Sequence, residues 1–140
     1  MSFGSAAQIP PARPADSAAC PCGSGAIYGA CCGPPHRGEP AGSPEALMRS
    51  RYTAFAIGDA RYLAESWHPR TRPDDLRVDA DTRWLGLEIL DAPDASGAKA
   101  GIVEFRARWR HGADRGEQHE RSRFAFAAGR WWYLDAESQA

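Results

Sequence analysis

The sequence predicts an α+β domain, with helices first along the chain and an antiparallel sheet after them. Helix caps and breakers outline two helical segments between residues 43 and 67, whereas apolar residues recur at alternate positions from Trp84 onward. The chain has 140 residues, of which 43% are hydrophobic and 25% charged, a composition typical of a globular protein. This length accommodates one ordinary domain and a small appendage.

The helical half opens with a start signal at 43–45, where the sequence is Ser-Pro-Glu. The serine hydroxyl caps the helix, the proline occupies its first position and the acid lies in its first turn. We predict that this helix runs to about Ile57 and ends at Gly58. Asp59 is predicted to cap a second, shorter helix that runs to Trp67.

The sheet half is predicted from apolar residues that alternate with polar ones, the pattern of half-buried antiparallel strands. The residues that mark the four strands are Leu85, Leu87 and Ile89; Val103, Phe105, Ala107 and Trp109; Ser122, Phe124 and Phe126; and Trp132 and Leu134. Ala128-Gly129 predicts a tight hairpin turn between the last two strands.

Bulk charge and hydropathy exclude several classes of protein. The chain has 17 basic and 18 acidic side chains and a net charge of -1, so it lacks the basic excess of a general nucleic-acid-binding domain. No stretch approaches the roughly 18 consecutive apolar residues of a membrane span, so we expect no membrane association. Residues 1–19 contain three prolines and no apolar core of a signal peptide, and we expect a disordered tail there.

All four cysteines lie in one short segment, at Cys20, Cys22, Cys31 and Cys32. A secreted scaffold spreads its cysteines to join distant segments, so this clustering predicts metal binding in the reducing cytoplasm. A disulfide between such close neighbours is the alternative, and it forms only with strain. Redox chemistry of the thioredoxin type needs a Cys-x-x-Cys pair, and a catalytic zinc needs an open position that four cysteines do not leave. We therefore predict one structural zinc ion held by four thiolates.

The segment Cys20-Pro-Cys-Gly-Ser-Gly, followed by Tyr28 and by Cys31-Cys32-Gly33, resembles the SEC-C motif. This is the zinc knuckle at the C-terminus of the SecA translocation ATPase and in many small bacterial proteins. In that family the two cysteine pairs are the zinc ligands, which implies the same role for the four cysteines here. The SecA motif is rich in lysine between the pairs and docks on partner proteins, whereas this chain has small and apolar residues there. The resemblance therefore implies zinc binding, whereas this departure weakens the case for the same docking function.

A second resemblance covers roughly Cys20 to Ala136. The motifs that carry it are Leu47-Met48-Arg49-Ser50-Arg51-Tyr52, Ala54-Phe55, Trp67-His68-Pro69, Trp84-Leu85-Gly86-Leu87, Glu120-Arg121-Ser122-Arg123-Phe124 and Trp132-Tyr133. They are similar to the YchJ family of bacterial proteins, which join a SEC-C knuckle to a domain like nuclear transport factor 2. The resemblance implies a cone of helices packed into a curved antiparallel sheet, and it implies no particular reaction.

These observations predict five segments along the chain. Residues 1–19 form the disordered tail, 20–33 the zinc knuckle, 34–43 a linker rich in proline and glycine, 44–136 the domain similar to nuclear transport factor 2, and 137–140 a second tail.

The predicted cone contains polar residues that point inward. Arg51 falls on the apolar side of the first helix, and Glu120 and Ser122 share a strand face with the inward phenylalanines. Because a buried arginine needs a compensating carboxylate, we predict an Arg51–Glu120 ion pair between helix and sheet. The alternative is an internal pocket in which these residues and His68 handle a small ligand.

The opposite face of the sheet is predicted to carry arginines, with Trp131 and Tyr133 beside them. The arginines concerned are Arg106, Arg108, Arg110, Arg121 and Arg123. Arginines interleaved with aromatic rings are suited to RNA or an acidic protein partner. The alternative is a solvated face in which Glu104 pairs with arginines across strands.

We therefore expect a cytoplasmic zinc protein that acts as a binding or adaptor module for a protein or nucleic-acid partner. The alternative function is that of a small-molecule-binding enzyme of the same fold, in which a carboxylate inside the cone does acid–base work. A large apolar cavity around Glu120 would favour the enzyme.

Overall fold

The computed structural model describes residues 11–138 and confirms the predicted order of helices followed by an antiparallel sheet. Among these residues, a single 3₁₀ turn at Tyr28–Ala30 precedes three helices, α1 (Gly33–His36), α2 (Pro44–Ile57) and α3 (Ala60–Glu65). The strands that the structure describes are β1 (Thr82–Asp91), β2 (Ala100–His111), β3 (Asp114–Ala127) and β4 (Arg130–Ser138). They pair in the order β1-β2-β3-β4, each antiparallel to its neighbour. Within the described residues, no helix is both long and apolar enough to cross a membrane.

The caps of α2 and the start of α3 agree with the sequence prediction. Ser43 Oγ accepts a hydrogen bond from Ala46 N at 3.0 Å, and Gly58 ends α2 with a φ of 81°. Asp59 caps α3 by accepting from Tyr62 N at 3.0 Å. These signals are local to the chain, which is why the sequence alone predicts them.

Helix α3 ends at Glu65, earlier than predicted, because the chain then pairs with β4. The Ser66 carbonyl accepts from Tyr133 N at 2.9 Å, and His68 N donates to the Tyr133 carbonyl at 2.8 Å. Thr71 Oγ1 donates to the Leu134 carbonyl at 2.6 Å. Residues 66–71, the edge segment, therefore cover part of the free edge of β4. At the other edge of the sheet, the β1–β2 register shifts between Trp84 and Gly86 and again between Ile89 and Asp91.

The strand faces differ from the prediction in two places. Leu85 lies in the first register shift of β1, and 46% of its surface is exposed. In β4 the inward residues are Trp131 and Tyr133 rather than Trp132 and Leu134. The turn at Ala128-Gly129 has positive φ at both residues, as a tight type I′ hairpin requires. It pairs Phe126 with Trp131 and Phe124 with Tyr133, so the two aromatics join the core face.

The described part of the N-terminal segment, residues 11–19, is packed against the helices rather than disordered. Ala12 N donates to the Ile57 carbonyl at 3.1 Å, and Arg13 lies 3.5 Å from the Asp59 carboxylate. Residues 1–10 of the predicted tail lie outside the described residues, as do 139–140. Residues 137–138 of the predicted second tail continue β4.

The cysteine segment shares one hydrophobic core with the sheet. Cys22, Cys32 and Tyr28 are each at most 2% exposed and belong to the same cluster of buried residues as Leu47 and Phe124. The predicted linker at 34–43 is also partly structured, because helix α1 occupies its start. The knuckle is therefore packed into the domain and is not a separate unit on a flexible tether.

Candidate metal centre and binding surfaces

The four cysteine sulfurs converge on one point, as the sequence predicts. All four Sγ atoms lie within 4.8 Å of one another, with Cys22 and Cys31 at 3.6 Å and Cys31 and Cys32 at 4.0 Å. None of them forms a disulfide. A regular tetrahedron with metal–sulfur bonds of 2.3 Å has sulfur–sulfur edges of about 3.8 Å. The cluster therefore has the dimensions of a closed four-thiolate metal site and fits a zinc knuckle.

Side chains of the knuckle and of helix α2 donate to these sulfurs. The Thr53 hydroxyl, which is fully buried, donates to Cys32 Sγ at 3.3 Å. Arg49 Nη1 lies 3.7 Å from Cys22 Sγ and also donates to the Cys22 carbonyl at 3.1 Å. Ser24 Oγ lies 3.1 Å from Cys31 Sγ. Such contacts orient thiolates and offset their negative charge.

Contacts between the cysteine thiols also shift their pKa values in opposite directions. The Cys32 thiol lowers the pKa of Cys22 to about 4, and the same contact raises the pKa of Cys32. Burial raises the pKa of Cys31. The arrangement therefore favours a thiolate at Cys22 beside protonated thiols at Cys31 and Cys32, and a divalent cation binds by displacing those protons.

A contact between Tyr28, which the sequence identifies only as part of the motif, and His36, which it does not identify, connects the knuckle to helix α2. The Tyr28 hydroxyl lies 2.6 Å from His36 Nδ1, and His36 Nε2 lies 2.8 Å from the Ser50 carbonyl. His36 is buried, and this burial lowers its pKa. The available signal for His36 is its place in a segment otherwise rich in proline and glycine, where it is the one histidine.

The predicted Arg51–Glu120 ion pair is wrong. Arg51 is only 2% exposed, and its Nη1 donates to the Leu63 carbonyl at 2.8 Å and to Ser66 Oγ at 2.7 Å. Its guanidinium lies over the Tyr133 ring, 4.1 Å from the centroid. Burial lowers the pKa of Arg51 to about 10, so the group stays charged at neutral pH. Hydrogen bonds and aromatic faces thus replace the carboxylate that we expected.

The other residues of the predicted pocket do not assemble into one site. Glu120 is half-buried and accepts from Gln118 Nε2 at 2.7 Å. His68 packs edge-on against Trp132, and its Nδ1 accepts from Arg70 N at 3.1 Å. Ser122 is 1% exposed, and its hydroxyl has no hydrogen-bond partner among residues 11–138. Two cavities of about 370 and 430 Å³ open on the surface, and neither is lined by Glu120, His68, Ser122 or Arg51.

On the outer face of the sheet, three of the five predicted arginines are ion-paired. Arg106 lies 3.4 Å from Glu117, Arg121 lies 3.1 Å from Glu104, and Arg123 lies 2.6 Å from Asp135. The carboxylate of Glu104 also lies 2.6 Å from His119 Nε2. This part of the face matches the solvated alternative, in which carboxylates pair with arginines across strands.

The other two arginines belong to a different group. Arg108 and Arg110 are exposed and form no ion pair with any residue that the structure describes, and the same holds for Arg83 and Arg115. The strand register places Arg110 directly opposite Arg83 on one side and opposite Arg115 on the other. We call these four residues the arginine corner. Trp131 and Tyr133 lie on the core face, so the predicted interleaving of arginines with aromatic rings is absent here.

Comparisons with known proteins agree with both parts of this architecture. Residues 43–136 match the family model described as the YchJ middle NTF2-like domain, and residues 17–34 match the SEC-C motif. A UPF0225 protein of Streptomyces coelicolor is 52% identical over 120 residues, which cover 84% of this chain and 94% of that protein. A UPF0225 protein of Xanthomonas oryzae pv. oryzae is 46% identical over 131 residues, covering 91% and 99%.

Two solved structures share the fold. The solution structure of a SEC-C motif-containing protein from Rhodopseudomonas palustris matches with a TM-score of 0.75 and 40% identity, over 86% of this chain and 98% of that one. The crystal structure of a SEC-C motif-containing protein from Psychrobacter arcticus matches with a TM-score of 0.68 and 29% identity, over 95% and 81%. The fold that the sequence resemblance implied is confirmed.

Proposed function

Since the chain belongs to the YchJ family and joins a SEC-C motif to an NTF2-like domain, we propose that it is a zinc-stabilised binding module for a nucleic-acid strand. The observation that carries this proposal is the arginine corner, four exposed guanidinium groups without carboxylate partners among the described residues.

Zinc is the metal that the cysteine cluster suits best. Four thiolates at tetrahedral spacing fill every coordination position, which is typical of a structural zinc site and leaves no position for a substrate. The hydroxyl of Thr53 and the guanidinium of Arg49 would offset the charge of the sulfurs. The four free thiols also suit a reducing compartment, and we propose the cytoplasm.

Nucleic acid is the partner that the arginine corner suits best. Arg83, Arg110 and Arg115 stand opposite one another on three adjacent strands, which lie about 4.8 Å apart. Guanidinium groups bind phosphate oxygens in a two-point geometry. A protein interface usually has an apolar core, whereas Leu85 is the one large hydrophobic residue exposed on the outer faces of the described strands β1 to β3 near this corner. We therefore expect contacts to the phosphate backbone without reading of the bases.

The test is binding of a fluorescent single-stranded RNA, measured by anisotropy over a range of salt concentrations. If all four arginines contact phosphates, log K falls with log salt with a slope of about −3, and Arg110→Ala makes that slope shallower by about 0.7. Arg123→Ala is the matched control, because it removes the same charge from the same face at a residue paired with Asp135. It should leave the slope unchanged.

Two results would contradict the proposal. Equal weakening by Arg110→Ala and Arg123→Ala would mean that binding reflects diffuse charge rather than the arginine corner. Tighter binding of a glutamate-rich peptide than of the RNA at matched ionic strength would mean that the partner is an acidic protein. Both results are independent of the metal content, which is measured on the purified protein by itself.

A further inference from the structure

A second concentration of positive charge lies in the surface cavity of about 370 Å³, apart from the residues of the arginine corner. The cavity lies between the segment that begins with α1, helix α3 and strand β4. Its lining includes Arg72 and Arg130 beside the aromatic rings of Trp132 and Tyr62. None of the four cysteines and no member of the arginine corner lines it, so its chemistry is separate from the function proposed above.

Arg130 is positioned by an aromatic ring, but its hydrogen-bonding capacity is not fully used. Its guanidinium stacks on the Trp132 ring, 4.8 Å from the centroid. The Nε atom is buried and has no hydrogen-bond partner among residues 11–138, and Arg130 forms no ion pair with any of them. Arg130 thus lines the cavity with a charge that no acidic side chain among residues 11–138 neutralises, and such a position favours an anion.

Arg72 adds a second charge that the protein does not neutralise. Its Nε and Nη2 atoms donate to the Trp67 carbonyl at 3.2 and 2.9 Å, and a carbonyl carries no net charge. Glu65 is the one acidic residue among those described in the lining, and its carboxylate lies 2.9 Å from Arg61. Two positive charges therefore face the cavity, while its one acid already has a partner.

We infer that this cavity binds a small phosphate monoester. Such a group carries about two negative charges near neutral pH, which matches the two arginines. Guanidinium groups bind phosphate oxygens with paired hydrogen bonds. The rings of Tyr62 and Trp132 and the side chain of Pro35 supply an apolar wall for the organic part of the ester.

The experiment is a titration of the ¹⁵N-labelled protein with inorganic phosphate at constant ionic strength, followed by NMR. We expect saturable shifts of the Gly38 amide and the Trp132 indole N–H, since both residues line the cavity. Arg130→Gln should weaken the phosphate affinity by about tenfold or more, the usual loss when a charged donor is removed. Arg77→Gln is the control, because Arg77 is exposed and paired with Asp75 away from the cavity.

Three outcomes would overturn the inference. One is the absence of saturable shifts at Gly38 and Trp132, and another is an equal response to succinate, which would identify a general dianion site. The third is shifts confined to Arg110 and its strand neighbours, which would assign the phosphate to the arginine corner. Should Arg130→Gln fail to fold, Arg72→Gln replaces it, because Arg72 is exposed. An unchanged affinity in Arg72→Gln would then equally refute the site.

Discussion

Tyr28 and His36 form a hydrogen bond of 2.6 Å between the tyrosine hydroxyl and the imidazole Nδ1. On the other side of the ring, Nε2 lies 2.8 Å from the carbonyl of Ser50. A carbonyl only accepts hydrogen bonds, so Nε2 carries the proton and Tyr28 donates to Nδ1. The neutral imidazole therefore connects the cysteine segment to helix α2 through two buried bonds.

Tyr28→Phe is expected to destabilise the protein by about 1–3 kcal/mol, because it leaves His36 Nδ1 buried without a donor. Urea unfolding gives this change in the free energy of unfolding. The matched control adds His36→Leu, which removes the acceptor as well, so the second substitution should cost less in the Tyr28→Phe background than in the wild type. Additive costs would show that the two side chains do not form this bond in solution.

The pH dependence of stability follows from the lowered pKa of His36. The unfolded chain protonates this histidine near its ordinary pKa of about 6.5, whereas the folded protein does so only at lower pH. Between these two values the unfolded state binds more protons, so stability falls as the pH falls below about 6.5. Comparing wild type with His36→Gln by urea unfolding at several pH values isolates this contribution, since metal release is common to both. If the free energies of unfolding of the two proteins changed with pH in parallel, the lowered pKa of His36 would be contradicted.

Metal removal should destabilise the whole domain rather than the knuckle alone. The purified protein is expected to contain about one zinc ion, and Cys31→Ser should lose it. Because Cys22 and Cys32 share a core with Phe124, a chelator should lower the thermal midpoint of the sheet as well. Metal analysis and near-ultraviolet circular dichroism test both statements. Ser96→Ala, on the exposed loop between β1 and β2, is the control and should keep both the metal and the midpoint.

A sheet signal that survives chelation unchanged would show that the knuckle unfolds on its own. Metal-free protein after zinc has been supplied would show that the four thiols do not form the proposed site.

Arg51 and Glu120 should contribute independently to stability. Arg51→Met removes two hydrogen bonds and a stacked guanidinium, at a cost of about 2–4 kcal/mol. Glu120→Leu should cost much less, since Glu120 is half-buried and its hydrogen-bond partner is the neutral side chain of Gln118. The double variant is expected to be additive within about 0.5 kcal/mol. By contrast, the costs of Arg51→Met and Ser66→Ala should not be additive, because the two side chains are hydrogen-bonded. A large coupling energy between Arg51 and Glu120 would contradict the structure.

What the sequence predicted and what it missed have physical causes. The bounds of helix α2 depend on Ser43, Pro44 and Gly58, which act within one turn of the helix. The burial of Arg51 also follows from its own helix, through the helical period. The partner of Arg51 cannot be predicted in this way. A helical wheel gives the direction in which the side chain points, but not the loop or strand that it meets. The end of α3 and the inward side of β4 depend on pairing with distant residues, which no local pattern contains.

The arginine corner shows the same limit. The sequence predicts Arg108 and Arg110 on the outer face because they alternate with apolar residues along one strand. Arg83 and Arg115 join them only through the strand register, and the partners of the remaining arginines come from other strands. Sequence alternation therefore predicts a charged face, whereas the neutralised and free parts of that face depend on the assembled sheet.

The protection of the two edge strands, β1 and β4, has a consequence for assembly. Hydrogen bonds from the edge segment 66–71 occupy backbone groups of β4, and two register shifts interrupt β1. An open sheet grows into fibrils or swapped dimers when a straight, unpaired strand offers its backbone to another chain. Neither border of this sheet offers such a template. Copies of the protein at high concentration should thus resist polymerisation through their strands, which leaves the outer face of the sheet as the broad surface open to other molecules.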